Sequence, residues 1–331
     1  MQTSKDTYKN DSKTGWSYPI DSLISDYDYR NNYYDYRQRL YALYRKADLA
    51  GVLEASEDLP VLLRDIYVPL RIDETETDPS ADPENAAETK GLSIPNALRR
   101  IQFLAISGLP GSGKSTLTKF LAAEMSELQL NVTTQRLGRR IVIPFILREL
   151  NFSKIDSFDD LWNVWISGMS KRLGMKITRE FLDFYIDNGW AVIIFDGIDE
   201  IGTEKNIDLI NWINDWIEER KSLREATPPV NVIITGRPYG FLEKGNYKKW
   251  FKMMHLQHFN QKESELYAGK WFKVRYGEDK VKVKIKADDF IAALKDYGLK
   301  ELKRRPIYLA MLAYVAETYG ELPRTRTLAY S

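Results

Sequence analysis

Residues 108–116, GLPGSGKST, constrain the fold of this chain more than any other stretch. They match the pattern G-x-x-x-x-G-K-[ST], with a short apolar run (101–107) before them and an amphipathic helical pattern (115–128) after them. Glycines let the backbone take conformations that a side chain would forbid, so that several amide hydrogens point at one spot beside a helix N-terminus. The segment therefore predicts a phosphate-binding loop between a strand and a helix.

Each residue type in this loop has a predicted part in holding the phosphates of a nucleotide. Lys114 is expected to reach the β- and γ-phosphates, and the hydroxyl of Ser115 is expected to bind Mg²⁺. The predicted nucleotide contacts within the loop are Gly108, Gly111, Ser112, Gly113, Lys114, Ser115 and Thr116. The predicted cofactors are therefore ATP or ADP together with Mg²⁺.

Residues 191–200, AVIIFDGIDE, place three acids at the end of an apolar run. Like charges repel, and such a cluster at the end of a buried strand is favourable only when a cation lies opposite. Asp196 is therefore predicted to orient Mg²⁺ across from Lys114. Asp199 and Glu200 follow on the loop, and one of the two is expected to orient or deprotonate the water that attacks the γ-phosphate.

Short apolar runs alternate with helical patterns between residues 99 and 250. The runs are 101–107, 141–147, 191–196 and 230–235. Nearly continuous β-branched runs are typical of strands that are covered on both faces, and strands that alternate with helices favour a parallel sheet. Arg237 follows the last run and is predicted to sense the γ-phosphate. The alternative for Arg237 is a loop arginine that pairs with a local acid.

The predicted fold class is α/β: a three-layer P-loop NTPase with a parallel sheet, preceded by a small helical and extended region and followed by a helical subdomain. Residues 1–90 are predicted to form an N-terminal arm, a helix and an acidic linker. Residues 91–250 are predicted to form the nucleotide-binding domain, and residues 251–331 the helical subdomain. In the last part, Asn260 is expected to cap a helix with Glu263, and Pro306 is expected to begin another.

Composition excludes several classes of site. The chain has no cysteine and two histidines, which excludes disulfides and thiolate chemistry and argues against a zinc site. Lys and Arg number 48 against 47 Asp and Glu, so overall charge gives no case for nucleic acid or a membrane. Because no apolar run approaches about 18–20 residues and the N-terminus is unlike a signal peptide, we expect a cytoplasmic protein without a membrane span.

Several segments resemble the NACHT family of STAND-type P-loop NTPases, over roughly residues 32–331. The second motif of that family, a Mg²⁺ aspartate, a small residue and an acidic pair, is similar to residues 193–201. The other similar segments are YVPLR (67–71), IPFILREL (143–150), ITGRP (234–238), HFNQKESELYAGKWF (258–272) and the stretch from Arg304 to Tyr330.

The resemblance implies a molecular switch with slow ATPase activity, in which ADP holds a closed state and exchange for ATP permits homo-oligomerisation and signalling. It also implies that Pro306 lies beside the adenine. Bacterial members of the family are associated with antiphage defence, and animal members with innate immunity. The chain ends about where the winged-helix domain of the family would begin, so the trigger and the effector are expected to lie outside it.

Two other classes of function stay open at this stage. A nucleic-acid-associated ATPase would use residues 244–286, where twelve Lys and Arg face four acids and where aromatic side chains suggest a stacking surface. Those aromatics are Trp250, Phe251, Trp271 and Phe272, and core packing is their other explanation. Residues 280–286, KVKVKIK, alternate like an edge strand protected by lysines. The second class is a different P-loop enzyme, such as a GTPase or a small-molecule kinase. A GTPase is disfavoured because no N-K-x-D-like motif follows the last apolar run, and a kinase would need an acceptor pocket that the sequence does not reveal.

Overall fold

The computed structural model describes residues 27–47, 61–75, 91–128, 137–138, 140–223, 230–239, 246–296, 299, 302–319 and 322. The predicted N-terminal arm, residues 1–30, and the predicted acidic linker, residues 73–90, lie mostly outside the described residues. Residues 27–30 of the predicted arm are described and form the start of a helix, so the arm was predicted to extend too far.

The described residues contain a seven-stranded sheet in the order β2-β1-β7-β3-β6-β5-β4. Its strands are β1 (Arg71–Asp73), β2 (Leu92–Ser93), β3 (Phe103–Ser107), β4 (Ile141–Ile146), β5 (Ala191–Asp196), β6 (Asn231–Gly236) and β7 (Lys252–Leu256). The five strands from β7 to β4 run parallel, whereas β1 pairs antiparallel with both β7 and β2. The predicted parallel sheet is confirmed, with an antiparallel edge that the sequence pattern did not indicate.

The four predicted strands are confirmed as β3 to β6, each with ends within two residues of the predicted run. Every position of these strands is buried. Both faces of the central sheet are therefore covered, which is why these strands read as continuous apolar runs instead of alternating ones.

Helices lie before, between and after the parallel strands in sequence. They are α1 (Tyr27–Tyr44), α2 (Leu63–Ile66), α3 (Ile94–Leu98), α4 (Lys114–Ser126), α5 (Phe158–Leu173), α6 (Arg179–Asp187), α7 (Thr203–Leu223), α8 (Gln261–Tyr276), α9 (Lys280–Asp296) and α10 (Pro306–Tyr319). Helices α4 to α7 lie between the parallel strands in sequence, and α8 to α10 form the predicted helical C-terminal region.

The predicted cap of α8 is present in both directions. The side chain of Asn260 accepts a hydrogen bond from the Glu263 amide at 2.9 Å, and the Glu263 carboxylate accepts one from the Asn260 amide at 2.8 Å. This reciprocal arrangement satisfies two amides that have no partner within the helix. Glu263 also binds Arg71 of β1 at 2.6 Å, which ties the start of α8 to the sheet.

The edge strand predicted at residues 280–286 is wrong, because these residues form the first turns of α9. Ala287, Phe290 and Leu294 further along the helix are buried, and Val283 packs against the same core. That spacing is the apolar stripe of a helix with 3.6 residues per turn. Burial of the stripe against α8 outweighs the local strand-like alternation of lysine and β-branched residues.

The stacking surface considered for nucleic acid is also contradicted. Phe251, Trp271 and Phe272 are buried in the core, and Trp250 packs against it. Rings that pack inside the protein do not offer faces to bases. Core packing, the alternative explanation for these aromatics, is therefore the correct one.

The sheet draws strands from all three predicted segments of the chain. β1 lies before residue 91 and β7 lies after residue 250, and the two pair with each other, while β7 also pairs with β3. The predicted domain boundaries at residues 90 and 250 stay a prediction. The sheet itself extends across both boundaries.

Helix α1 is fastened to the sheet domain by a buried arginine. Arg37 donates hydrogen bonds to the carbonyl oxygens of Met125 at 2.9 Å and Glu127 at 2.7 Å, which end α4, and to the Tyr33 hydroxyl at 2.7 Å. Carbonyls at a helix C-terminus lack partners within the helix and carry partial negative charge, so a guanidinium suits them. α1 therefore belongs to the packed core around the phosphate loop helix.

We expect Arg37→Ala to lower the free energy of unfolding by about 2–4 kcal/mol, because the buried acceptors it leaves behind each cost about 1–3 kcal/mol. Urea unfolding of the full chain measures this. The control is Gln38→Ala on the same helix, because the side chain of Gln38 is exposed. A surface substitution usually changes the free energy of unfolding by no more than about 0.5 kcal/mol, so equal losses for the two variants would contradict the assignment.

Candidate functional site

The loop between β3 and α4 needs glycine at three positions. Gly111 and Gly113 have φ angles of +74° and +96°, in the left-handed region that side chains rarely adopt. At Gly108 an added Cβ would lie 2.6 Å from Oγ of Ser112. The loop therefore keeps a shape that only glycines permit, and it leads directly into the N-terminus of α4.

Lys114 begins α4 and folds back over this loop. Its ammonium nitrogen donates hydrogen bonds to the carbonyl oxygens of Gly108 at 2.6 Å and Leu109 at 3.2 Å. Burial lowers the pKa of Lys114, while the negative charges of Asp199 and Asp196 act in the opposite direction. Lys114 and the acids after β5 thus lie close enough to interact electrostatically, although they are about eighty residues apart in sequence.

Asp196 ends β5 and is only 2% exposed. Its carboxylate accepts a hydrogen bond from the Thr235 hydroxyl at 2.6 Å, and that hydroxyl accepts one from the Gly197 amide at 3.1 Å. Because β6 lies between β3 and β5 in the sheet, Thr235 joins the two predicted motifs. Sequence reasoning missed Thr235, and its position just before Gly236 and Arg237 at a strand end was the available signal.

Asp199 and Glu200 lie on a short 3-10 turn, Ile198–Glu200, and Gly197 is its N-cap residue. Gly197 has a φ of +83°, and an added Cβ there would lie 3.0 Å from Oε2 of Glu200. This glycine therefore lets the chain turn sharply after β5 with the Glu200 carboxylate packed against it.

The two acids of the turn differ in their partners. Asp199 receives the backbone amide of Arg237 at 2.9 Å on one oxygen and its Nε at 3.0 Å on the other. Glu200 has a looser partner, Arg148, whose Nη1 lies 3.9 Å from Oε2. Burial raises the pKa of Glu200, and Arg148 partly offsets that rise. Asp199 is thus occupied in fixing Arg237, and Glu200 is less constrained.

A cavity of about 410 Å³ lies next to the loop. Part of its lining carries charge or hydrogen-bonding groups, and among these residues are Gly111, Ser112, Gly113, Lys114, Ser115, Thr116, Lys119, Arg148, Glu200 and Arg237. The rest of the lining is mainly apolar and aromatic, including Leu63, Ile66, Leu70, Phe259, Tyr267, Pro306, Ile307 and Ala310. A nucleotide needs both kinds of lining, polar groups for its phosphates and an apolar surface for its base.

The start of α10 closes over the phosphate loop. An added Cβ at Gly111 would lie 2.4 Å from Cγ2 of Ile307, and one at Gly113 would lie 3.7 Å from Cγ of Pro306. The Ile307 amide also approaches the Gly111 carbonyl oxygen at 3.5 Å. Pro306, predicted to contact the base, therefore lines the same cavity as the loop.

Most of the predicted site residues meet at this cavity. Gly108, Asp196 and Asp199 are not among its lining residues. Gly108 contacts Lys114 and Asp199 contacts Arg237, which do line the cavity, whereas Asp196 bonds to Thr235, which does not. Arg148 and Lys119 line the cavity but were missed from the sequence. Arg148 belongs to residues 143–150, a segment that resembles a strand of the family and to which the sequence assigned no role at the site.

The residues present fit a divalent cation near the end of β5. Asp196 is buried, yet it takes part in none of the ion pairs in the described part of the chain. Burying a carboxylate without an opposite charge is costly. Ser115 supplies a hydroxyl in the first turn of α4, and oxygen ligands of these two kinds are those that Mg²⁺ takes while keeping several waters.

None of the helices in the described residues has the length and apolar character that crossing a membrane requires.

Comparison with solved structures gives alignments of low identity and low TM-score. A RuvB mutant from Thermotoga maritima is 12% identical with a TM-score of 0.33, over 64% of this chain and 60% of that one. The Hsp104–ADP complex of S. cerevisiae is 15% identical with a TM-score of 0.38, over 67% and 30%. The ORC2 protein of Aeropyrum pernix, in ADPNP–ADP complexes, is 15% identical with a TM-score of 0.32, over 66% and 63%. The chain thus spans less than two thirds of each.

No curated protein matches this chain. A family model does: residues 102–275 match the NACHT domain. That range is more than half of the 331 residues, and it runs from β3 through the acids after β5 to α8. This chain belongs to the NACHT domain family, a family of nucleotide-binding P-loop NTPases.

Proposed function

We propose that this chain binds ATP and ADP in the 410 Å³ cavity, hydrolyses ATP slowly with Mg²⁺, and uses the bound nucleotide as a switch. The observation that carries the proposal is the cavity itself. Its polar lining includes residues of the phosphate loop, Lys114 and Glu200, and its apolar lining includes residues of α2, Phe259 and the start of α10. A nucleotide has a charged tail and a flat base, and the cavity offers each the surroundings that it requires.

We assign the base that activates water to Glu200 rather than to Asp199. Glu200 lines the cavity, and its side chain is 32% exposed. Asp199 is 13% exposed, and both of its oxygens are taken by Arg237. A general base needs a free lone pair within reach of its proton and a pKa raised toward neutrality, and burial raises the pKa of Glu200.

Arg237 is assigned to contact the γ-phosphate from a fixed position. Its backbone amide and its Nε are both held by Asp199, and it lines the cavity beside Glu200. A guanidinium whose orientation is set in advance loses less entropy when it binds phosphate. Asp199 is thus the residue that positions Arg237.

Ser115 and Asp196 would hold Mg²⁺. When bound, the ion supplies charge neutralisation to the β- and γ-phosphate oxygens. Thr235 keeps the Asp196 carboxylate oriented through its hydrogen bond of 2.6 Å.

We further propose that ATP binding permits homo-oligomerisation and signalling in antiviral defence, with the trigger and the effector supplied from outside the described residues. This part of the proposal is supported by the membership of the NACHT family and by the resemblance of the motif segments. Light scattering of the purified chain with ADP and with ATP tests the assembly step, because a switch of this kind should change its mass only with ATP.

The proposal predicts that nucleotide stabilises the fold. ADP or ATP at a hundred times its Kd should raise the free energy of unfolding by about 2.7 kcal/mol, whereas GTP at the same concentration should raise it less. Thermal unfolding measures this, and mass spectrometry of the small molecule that co-purifies identifies the native ligand. A protein that carries no nucleotide and gains no stability from any of the three would refute the switch.

A further inference from the structure

Arg148 lies beside the turn that carries Glu200 because of how the sheet is paired. β4 and β5 are neighbours in register, with Ile146 opposite Asp196. Each strand then enters a 3-10 turn, Leu147–Glu149 after β4 and Ile198–Glu200 after β5. Arg148 therefore faces Glu200 across two adjacent turns, at the same end of the sheet as the phosphate loop.

Among the described residues, Arg148 has one ionic partner, Glu200, and it also lines the cavity. Its Nη1 lies 3.9 Å from Oε2 of Glu200, beyond hydrogen-bond distance, and its side chain is 47% exposed. The next residue, Glu149, pairs with Arg172 instead. Arg148 also lines the cavity together with Lys114 and Arg237.

Arg237 and Arg148, the two arginines that line the cavity, are therefore held differently. Arg237 is fixed through both oxygens of Asp199, so its guanidinium stays in one orientation. Within the part of the chain that the structure describes, Arg148 has one ionic contact, with Glu200, and that contact is outside hydrogen-bond range. An exposed pair of that kind contributes about 0–1 kcal/mol, so a stronger anion nearby displaces it.

We propose that Arg148 distinguishes ATP from ADP: with ADP it stays paired with Glu200, and with ATP it moves onto the γ-phosphate and leaves Glu200 free to act on water. The inference rests on the proposed function and adds a regulatory contact to the same site. Arg148 thus contacts the γ-phosphate itself, and it influences the water-activating step by pairing with or releasing the base, Glu200.

The charges favour this exchange. A terminal phosphate carries about −1.5 to −2 charges and three acceptor oxygens, against one charge on a carboxylate. A guanidinium binds such a group through two parallel hydrogen bonds, which its 3.9 Å contact with Glu200 does not provide. ADP lacks the group that would draw the side chain away, so Glu200 stays occupied while ADP is bound.

The test compares the affinities of the full chain for ADP and for a non-hydrolysable ATP analogue, by calorimetry with Mg²⁺. Arg148→Ala is expected to weaken the ATP analogue by roughly 10- to 100-fold, the equivalent of one charge-assisted hydrogen bond. The same variant should leave the affinity for ADP within about twofold, which a merely structural loss would not do. Arg148→Lys, which keeps the charge, should restore part of the loss.

The control is Arg39→Ala, because Arg39 is 42% exposed and ion-paired but does not line the cavity; it should change neither affinity. Equal losses for ADP and the ATP analogue would overturn the proposal, because Arg148 would then be a general phosphate contact. An unchanged ratio with no loss for either would overturn it as well. If the parent chain binds neither nucleotide, the proposed function itself has failed, and the two failures are thereby distinguished.

Discussion

Lys114→Ala should reduce the affinity of the chain for both ATP and ADP by roughly 10²- to 10⁴-fold. Lys114 is placed to give two charge-assisted hydrogen bonds to the phosphates, each worth about 1.5–3 kcal/mol, and every 1.4 kcal/mol is about tenfold in Kd. Titration calorimetry with ADP and with an ATP analogue measures the loss directly.

The position of Lys114 explains why both nucleotides should be affected. Its ammonium group already lies over the loop, bonded to the carbonyl oxygens of Gly108 and Leu109. The phosphates would take the place of those two acceptors, while the loop amides remain where the glycines put them. The loss should therefore affect both nucleotides, unlike the loss expected for Arg148→Ala.

The control for Lys114→Ala is Lys171→Ala, which removes an exposed lysine from the last turn of α5 and should leave both affinities unchanged. Urea unfolding without nucleotide checks that the alanine variant folds. If the folded variant binds ADP within about threefold of the parent, the phosphate loop is not where the nucleotide is held.

The phosphate loop and the acids after β5 were predictable because each is a local pattern. Gly111, Gly113 and Gly197 occur where the backbone has a positive φ. A short sequence segment is enough to indicate such a requirement, because glycine meets it. The buried runs of β3 to β6 were equally legible, because a strand covered on both faces has no polar positions.

Contacts between different strands were not predictable in this way. Thr235 and Arg148 reach the site only because the sheet order places β6 between β3 and β5, and β4 beside β5. Sequence spacing carries no information about that order. Residues 280–286 show the converse, since a local alternation suggested a strand and the stripe buried against α8 made a helix.

The other large effect concerns hydrolysis alone. Glu200→Gln should slow ATP turnover by about 10²- to 10⁴-fold and leave the Kd for ADP and ATP within a few-fold of the parent. Glutamine keeps the shape of the side chain against Gly197 but has no basic oxygen to take a proton from water. Single-turnover hydrolysis measured beside calorimetric affinities separates the two quantities.

Asp199→Asn is the matched comparison, because it also replaces a carboxylate by an amide of the same shape, at the neighbouring acid. Asp199 holds Arg237 through its amide and Nε, so its asparagine variant should lose part of the affinity for ATP along with turnover, since Arg237 is no longer fixed. Glu200→Gln should lose turnover only. If Glu200→Gln hydrolyses ATP at the parent rate and Asp199→Asn does not hydrolyse it, then Asp199 is the base. Parent-like hydrolysis by both would mean that neither acid activates the water.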